Sequence, residues 1–315
     1  MHSSISTSDA VRHLALVAGT VLIGLFCSVV AGAIRFDETM AGHSRVFNVR
    51  LVPDSYRAPL MDAFIATAST ANSKPLIVVL GDSQSWGFRQ REERVFSTLL
   101  QKKLPHYRVL NLSVVDGRLK DQLAILEMLD ARGIRPKLIL SSTNLAHVKN
   151  TEMQRLPRTA LPSWAYFLSP LNVVRIGEFA PPSDREPSEM AYKRFQVPDR
   201  FVDSKQGLEK SAELLERTLR RARDIAEHVY FYMPPHAVDD FASYNYDRAL
   251  YDGQVRDLIA ACATTGAICD DLSSSLPLKA FQDVVHLNRS GHEKMAAALL
   301  PSILNVIEPP QVASR

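Results

Sequence analysis

The sequence predicts an α/β protein of three layers, a parallel sheet of about five strands sandwiched between helices. Short apolar runs at 76–80, 108–112, 137–140, 229–233 and 267–269 alternate with longer segments of helical periodicity. Such alternation builds crossover units whose strands run parallel and are covered on both faces. With 315 residues, 46% of them hydrophobic, the chain has the apolar content for a core of that size.

In order, residues 36–73 read as a polar, irregular connector with a short helix around 58–69. The strand 76–80 then enters a loop bounded by Gly81 and Gly87. Residues 92–104 read as a helix with Val95, Leu99 and Leu100 facing inward and Pro105 as its stop. Leu119, Leu123 and Leu126 recur at helical spacing until Gly133 and Pro136 end that helix. Leu208, Ala212, Leu215, Leu219, Ala222 and Ala226 step along an amphipathic helix. Its pairings of Glu213 with Arg217 and Glu216 with Arg220 are ordinary surface pairs. Pro234 and Pro235 stop the fourth strand, and residues 248–262 and 290–306 form the last two helices. The stretch 147–204 breaks this rhythm, being rich in proline and carrying Trp164, Tyr166 and Phe167. As a long insertion after the third strand it is expected to overhang the site and to select a substrate or dock a partner.

Two short runs carry chemistry. Gly81-Asp82-Ser83-Gln84-Ser85-Trp86-Gly87 puts a serine just past a buried strand, and Asp283-Val284-Val285-His286 puts a carboxylate and an imidazole one turn apart. A serine hydroxyl is a weak nucleophile until a base takes its proton, and the base works best when a third group fixes its tautomer. Ser83, His286 and Asp283 supply those three groups. In open parallel sheets, sites form beyond the carboxyl ends of strands, where both Ser83 and Asn144 fall. Asp82 is assigned a bond to loop amides, and Ser85 a helix cap. His236 also follows a strand end, whereas His292 reads as a surface or packing residue. There is no HExxH pair, zinc-spaced Cys/His cluster or glycine-rich phosphate loop, so neither metal nor other cofactor is expected.

These runs resemble the conserved blocks of the SGNH, or GDSL-like, hydrolase superfamily. Gly81 to Gly87 match its Gly-Asp-Ser-x-x-x-Gly block, and Asp283, His286, Leu287, Asn288 and Gly291 match its final block. Two middle blocks depart from the pattern. Where the family has Gly-x-Asn-Asp, this chain has Ser142 and Leu145 around Asn144. Where the family has a glycine five residues after an asparagine, Asn111 is followed by Asp116 at that position and Gly117 one residue late. The resemblance spans 74–307 and implies a flavodoxin-like α/β/α fold. It also implies a catalytic triad of Ser83, His286 and Asp283, with an oxyanion hole formed by Ser83 N–H, Gly117 and Asn144.

Residues 14–34 hold no charged side chain and are almost wholly apolar. At about 1.5 Å per residue the run reaches roughly 30 Å, enough to cross a bilayer core. A cleaved signal peptide is the rival, because Ala31, Gly32 and Ala33 form a small-x-small site. The apolar run exceeds the roughly 7–15 residues of a signal peptide and the preceding tail is poorly basic, which favours an uncleaved anchor. The chain thus divides into a tail 1–13, an anchor 14–34, a connector 35–73 and a catalytic domain 74–315 with the insertion 147–204. Arg12 precedes the span and Arg35, Arg45 and Arg50 follow it, a weak argument against export. Cys262 and Cys269 flank Gly266, forming either a disulfide in an oxidising compartment or two buried thiols. The net charge of +3 comes from interleaved bases and acids, and nothing marks a nucleic-acid surface.

Anchored members of the superfamily present their catalytic domain outside the cytoplasm. The expectation is therefore a single-pass inner (plasma) membrane protein with a periplasmic or extracellular serine esterase, its substrate an acylated glycan, glycolipid or other lipid-linked envelope component. The same residues would serve an O-acyltransferase working beside a membrane-embedded acyl donor. A reading of a different class is a non-catalytic assembly or carbohydrate-binding protein on this fold.

Overall fold

The computed structural model describes residues 7–41, 43–70, 73–145, 153–157, 161–179 and 205–308. Five strands, β1 (Leu76–Leu80), β2 (Arg108–Asn111), β3 (Leu138–Ser142), β4 (His228–Met233) and β5 (Ile268–Asp271), form one sheet in the order β2-β1-β3-β4-β5. All four pairings are parallel, with Val78 opposite Leu110 on one side and Ile139 on the other. β1 and β3, which have neighbours on both sides, are made of residues that are almost all buried, as strands covered on both faces must be. This is the α/β/α fold with five parallel strands that the alternation predicts.

The chain leaves β1 toward β2 and later passes β1 again to reach β3, so the direction of winding reverses there. Right-handed crossovers then send helices to opposite faces. α4 (Phe96–Lys103) packs with α10 (Arg289–Ile307), while α5 (Leu119–Ala131), α8 (Lys205–Ile225) and α9 (Arg248–Ala263) pack in succession on the other face. Ligand sites of doubly wound sheets lie at this reversal, beyond the carboxyl ends of the strands. The four-residue helix α3 (Ser83–Trp86) starts there, directly after β1.

The N-terminal segment differs most from the sequence expectation. A single helix, α1 (Thr7–Ala41), continues well past residue 34, because Phe36 and Met40 sit one turn apart and are buried in the core. Residues 43–70 are not an irregular connector. They include α2 (Asp54–Thr70), which packs on α1 and α5, and Val46, Phe47, Val49, Leu60, Met61, Phe64 and Ile65 are fully buried. The polar residues that suggest a solvated linker point inward instead. Arg57 Nε donates to the carbonyls of Val49 and Val52 at 2.8 and 2.9 Å. Arg45 is completely buried and donates to the carbonyls of Trp86 (3.0 Å), Gly87 (3.2 Å) and Gln90 (3.3 Å). Its guanidinium also stacks 4.2 Å from the Trp86 ring centroid, while Trp86 Nε1 donates to Val46 O at 2.8 Å. Burial lowers the Arg45 pKa to about 10, with Glu92 and Glu93 opposing, so the group remains a cation at neutral pH.

Glu92 does not open a helix as expected. It accepts from Ser44 N (2.6 Å) and Ser44 Oγ (2.9 Å) and pairs with His43, leaving only a 3₁₀ turn, Glu92–Arg94, before α4. The two described helices of the 147–204 insertion pack on the N-terminal helices. α6 (Ser163–Tyr166) and α7 (Pro170–Phe179) pack against α1, and α6 also against α2. Asp121 Oδ1 accepts from the backbone N–H of both Arg155 and Leu156, each at 2.6 Å. The rest of the insertion, 146–152, 158–160 and 180–204, lies outside the described residues.

Replacing Arg45 removes the donor to the carbonyls of Trp86 and Gln90, while Gly87 O keeps its bond from Gln90 N, and each unpaired carbonyl costs about 1–3 kcal/mol. Arg45→Met should therefore lower the melting temperature of the detergent-purified chain by about 5–10 °C. Arg220→Met, which removes an exposed partner of Glu216, should shift it by less than about 2 °C. Differential scanning fluorimetry distinguishes the two.

Candidate active site

The nucleophile loop is set by β1 and by its first polar residue. Asp82 is the N-cap of α3, and its Oδ1 accepts from Gln84 N at 2.9 Å, the amide bond expected for it. Gly87 closes the four-residue helix at φ 84, and a side chain there would meet Val95 at 2.4 Å. Between these caps Ser83 is half-buried, with its N–H in the first turn, where no intrahelical acceptor exists. Ser85 is not a cap. Its hydroxyl is buried against Ser142 Oγ (2.9 Å) and Tyr232 Oη (3.1 Å) and ties α3 to β3 and β4.

The loop between β5 and α10 is pinched by an antiparallel bridge between Phe281 and Leu287, with Gln282 N donating to His286 O at 2.8 Å. Inside the pinch, Asp283 Oδ1 accepts from Val285 N (2.9 Å) and His286 N (2.7 Å). Asn288 then caps α10 by accepting from Gly291 N at 3.0 Å. Gln84 spans the two loops, its Nε2 donating to Val285 O and, at 2.7 Å, to Pro235 O.

These loops bring together residues 203 positions apart. Ser83 Oγ lies 2.9 Å from His286 Nε2, and His286 Nδ1 lies 2.9 and 3.0 Å from the two oxygens of Asp283. The carboxylate fixes a proton on Nδ1 and leaves Nε2 as an acceptor for the serine hydroxyl. Burial works against ionisation of Asp283, but the His286 ring and the amides of His286 and Val285 outweigh it, and its pKa is lowered. Phe88 packs on the imidazole with ring centroids 4.8 Å apart. The arrangement can deprotonate a serine as it attacks an acyl carbon.

The oxygen end of the Asn144 amide is held. His236 Nε2 lies 3.0 Å from Asn144 Oδ1, and Tyr251 Oη lies 2.7 Å from His236 Nδ1. Burial pushes the His236 pKa down to about 4, so the ring is neutral, and burial raises that of Tyr251, so its phenol keeps the proton it can donate. With Tyr251 donating to Nδ1, the ring carries its proton on Nε2 and donates it to Asn144. The other end of the amide lies at Asp82. That carboxyl is pushed up by burial and drawn back by Gln84 N–H, His286, Arg118 and the Asn144 amide. Sequence reading places His236 at a strand end but misses its role toward Asn144, and it misses Tyr251 and Gln84 altogether. Their partners lie 92, 15 and 201 residues away, and no local pattern marks them.

Gly117 does not offer the expected amide. Its N–H donates to Val114 O at 2.8 Å, closing a tight turn in which a Cβ would meet Val114 at 2.8 Å. Asp116, the residue in register with the family's glycine, instead takes the left-handed conformation at φ 64. Its side chain pairs with Arg118 and Arg155, which holds this unfavourable backbone in place. Among the described residues nothing accepts the Asp116 N–H. Val114 N donates to Gly81 O at 3.1 Å and keeps this turn beside the nucleophile loop.

On the far side of the site, Cys262 and Cys269 are joined as a disulfide. His292 is buried, with its ring stacked on Phe96, and burial with Arg45 nearby lowers its pKa to about 3.

No protein-family model matches the chain, and no curated protein matches its sequence. Similar solved structures include a catalytic mutant of Axe2, an acetylxylan esterase from Geobacillus stearothermophilus, at TM-score 0.46 and 15% identity, covering 78% of this chain and 99% of that one. Another is a member of the lipolytic G-D-S-L family from Veillonella parvula, at TM-score 0.47 and 12% identity, covering 72% and 96%. TesA is a third, at TM-score 0.44 and 12% identity, covering 74% and 99%.

His236 and His292 bind a proton less readily folded than unfolded, so their contribution to stability is complete above about pH 6.5 and falls as the pH drops toward their folded values. Between pH 7 and pH 5 each should cost about 1–2 kcal/mol. Unfolding measured at both pH values should show that loss in the wild type, and His292→Gln should reduce it by about that amount for one residue.

Proposed function

We propose that this chain is a membrane-anchored serine esterase that removes acyl groups from an envelope glycan or a lipid-linked substrate through an acyl-enzyme. The observation that carries the reading is the unbroken hydrogen-bond line Ser83–His286–Asp283, with distances of 2.9 and 2.9 Å. His286 Nε2 takes the Ser83 proton as Oγ bonds to the ester carbonyl carbon, and Asp283 supports the resulting imidazolium. The carbonyl oxygen gains negative charge and is met by Ser83 N–H, by one N–H of the Asn144 amide and by the backbone N–H of Asp116, which replaces Gly117 in this role. Each such donor is worth about 3–4 kcal/mol in the transition state. Collapse returns the His286 proton to the departing alcohol. Water, deprotonated by His286, then releases the acid. A sugar hydroxyl in place of water gives an O-acyltransferase, and the ratio of free acid to acylated acceptor measures the partition.

The helix over Val11–Met40, long and apolar enough to cross a bilayer, supports the anchor. The Cys262–Cys269 bond supports a catalytic domain in an oxidising compartment, periplasmic or extracellular.

The test uses the full chain in detergent with p-nitrophenyl acetate and longer esters. Ser83→Ala should abolish turnover with an unchanged melting temperature, and retention of more than about a tenth of the rate would remove Ser83 from the chemistry. Asn144→Ala should lower kcat about 10²–10³-fold with little change in KM. His236→Ala should lower kcat about tenfold through loss of amide orientation, and should cost nothing further in the Asn144→Ala background. An undiminished effect in that background would show that His236 acts elsewhere.

A further inference from the structure

The described part of the insertion presents a surface that the esterase chemistry does not use. Residues 161–174 contain no charged side chain, and the exposed positions among them are all apolar, namely Leu161, Pro162, Trp164, Leu168, Pro170, Leu171 and Val174. Trp164 is 53% exposed, Leu171 75% and Val174 65%, although Tyr166 and Phe167 between them are buried. The segment is therefore folded and anchored on one side while bare and apolar on the other. Contiguous exposed apolar surface of this kind marks a contact with a protein or a membrane.

Its position on α1 identifies the partner. Ser28 Oγ donates to Phe167 O at 2.7 Å, a Cβ on Gly32 would meet the Phe167 side chain at 2.6 Å, and Phe36 packs on Phe167 with centroids 6.1 Å apart. Ser28, Gly32, Phe36 and Met40 form the stripe of α1 that faces protein, whereas Phe26, Val30 and Ile34 on neighbouring positions remain exposed. Residues 28–34 are the last 9 Å or so of the apolar run, at about 1.5 Å per residue. A segment packed at that level lies at the end of a span rather than beyond it. Interfacial helices bury their apolar face about 5–10 Å into the boundary between headgroups and acyl chains, the same depth range. Tryptophan favours this zone, and Arg35 and Arg175, the first charged residues past the two apolar surfaces, can meet anionic headgroups.

We infer that residues 161–174 are a second membrane contact, an interfacial foot that rests its Leu161, Trp164, Leu168, Leu171 and Val174 face in the bilayer that α1 crosses. This rests on the reading of α1 as a membrane span. With α1 and the foot packed together, the domain has two points of attachment, which fixes its tilt. Residues 153–157, just before the foot, bond Asp121 and Asp116 beside the site. The site is thereby held at a set height above the lipid surface, suited to a substrate that is itself lipid-linked.

The chain contains two tryptophans, and Trp86 is buried beside Arg45, so the fluorescence lost in Trp164→Phe reports the foot. The full chain is reconstituted in phosphatidylcholine–phosphatidylglycerol vesicles carrying bromine at defined depths on the acyl chains. A dye at position 17 in the Cys27→Ser, Val17→Cys variant reports the span separately. The Trp164 signal should fall roughly twofold or more, most with shallow bromines, while the position-17 dye is quenched most by deep ones. Leu171→Glu with Val174→Glu should abolish most of the Trp164 quenching and leave the dye unchanged. A quenched dye with an unquenched Trp164 overturns the foot and means that the patch is covered by protein, either another segment of this chain or a second copy. An unquenched dye overturns the span, and the foot with it.

Discussion

Burying a guanidinium requires acceptors for its donors, and the two terminal nitrogens of Arg45 find them in the carbonyls of Trp86, Gly87 and Gln90. Those carbonyls belong to the end of α3 and the turn behind it, six to ten residues after Leu80, the last residue of β1, where the chain must reverse sharply. A four-residue helix has little stability of its own. Its geometry is imposed from outside, by Asp82 at one end and by Arg45 stacked on Trp86 at the other. The position of Ser83 between them follows from those two fixings. The segment that carries Arg45 pairs with the end of β2 through Asn111, whose side-chain amide reaches back to Ser85 O at 2.8 Å. The residues following the N-terminal helix are thus part of the scaffold of the nucleophile.

The sheet does the rest of the gathering. Parallel strands present all their carboxyl ends at one edge, so the loops after β1, β2, β3 and β4 meet there without any long excursion. Side chains then cross between loops to lock them. Gln84 ties α3 to Pro235 and Val285, Gln122 on α5 holds Ser141 Oγ and Ser142 O, and His236 with Tyr251 sets Asn144. Each of these buried side chains holds a group on a different loop or strand. Asp82 is the exception in kind, a carboxyl buried beside the nucleophile whose burial raises its pKa while His286, Arg118 and Asn144 pull it back.

The sheet and the serine, histidine and aspartate were legible in the sequence because each is written locally. Strands are apolar runs, Ser83 follows one between two glycines, and Asp283 and His286 are three residues apart. What escaped was non-local or inverted in polarity. Arg45 and Arg57 look like linker residues because charge ordinarily means exposure, yet both turn inward to carbonyls that no pattern reveals. The helix α1 was expected to end where its apolar run ends, but Phe36 and Met40 face protein and carry it on for two turns. At the middle block, counting from Asn111 gives either Asp116 or Gly117, and only the backbone shows that the glycine closes the turn while the aspartate adopts φ 64. The relay through His236 depends on Tyr251, which lies on α9 and reaches the site only because α9 packs beside β5.

Whether Ser83 is an activated nucleophile is read most directly with a fluorophosphonate, which forms a stable phosphonyl-serine only where a neighbouring base takes the hydroxyl proton. The full chain in detergent, treated with such a reagent and mapped by peptide mass spectrometry, should carry the phosphonyl group on the peptide containing Ser83. His286→Ala should lose the labelling while retaining the wild-type melting temperature. An unlabelled wild-type chain, or a label on another serine that survives His286→Ala, would contradict the assignment of Ser83, His286 and Asp283 as one catalytic unit.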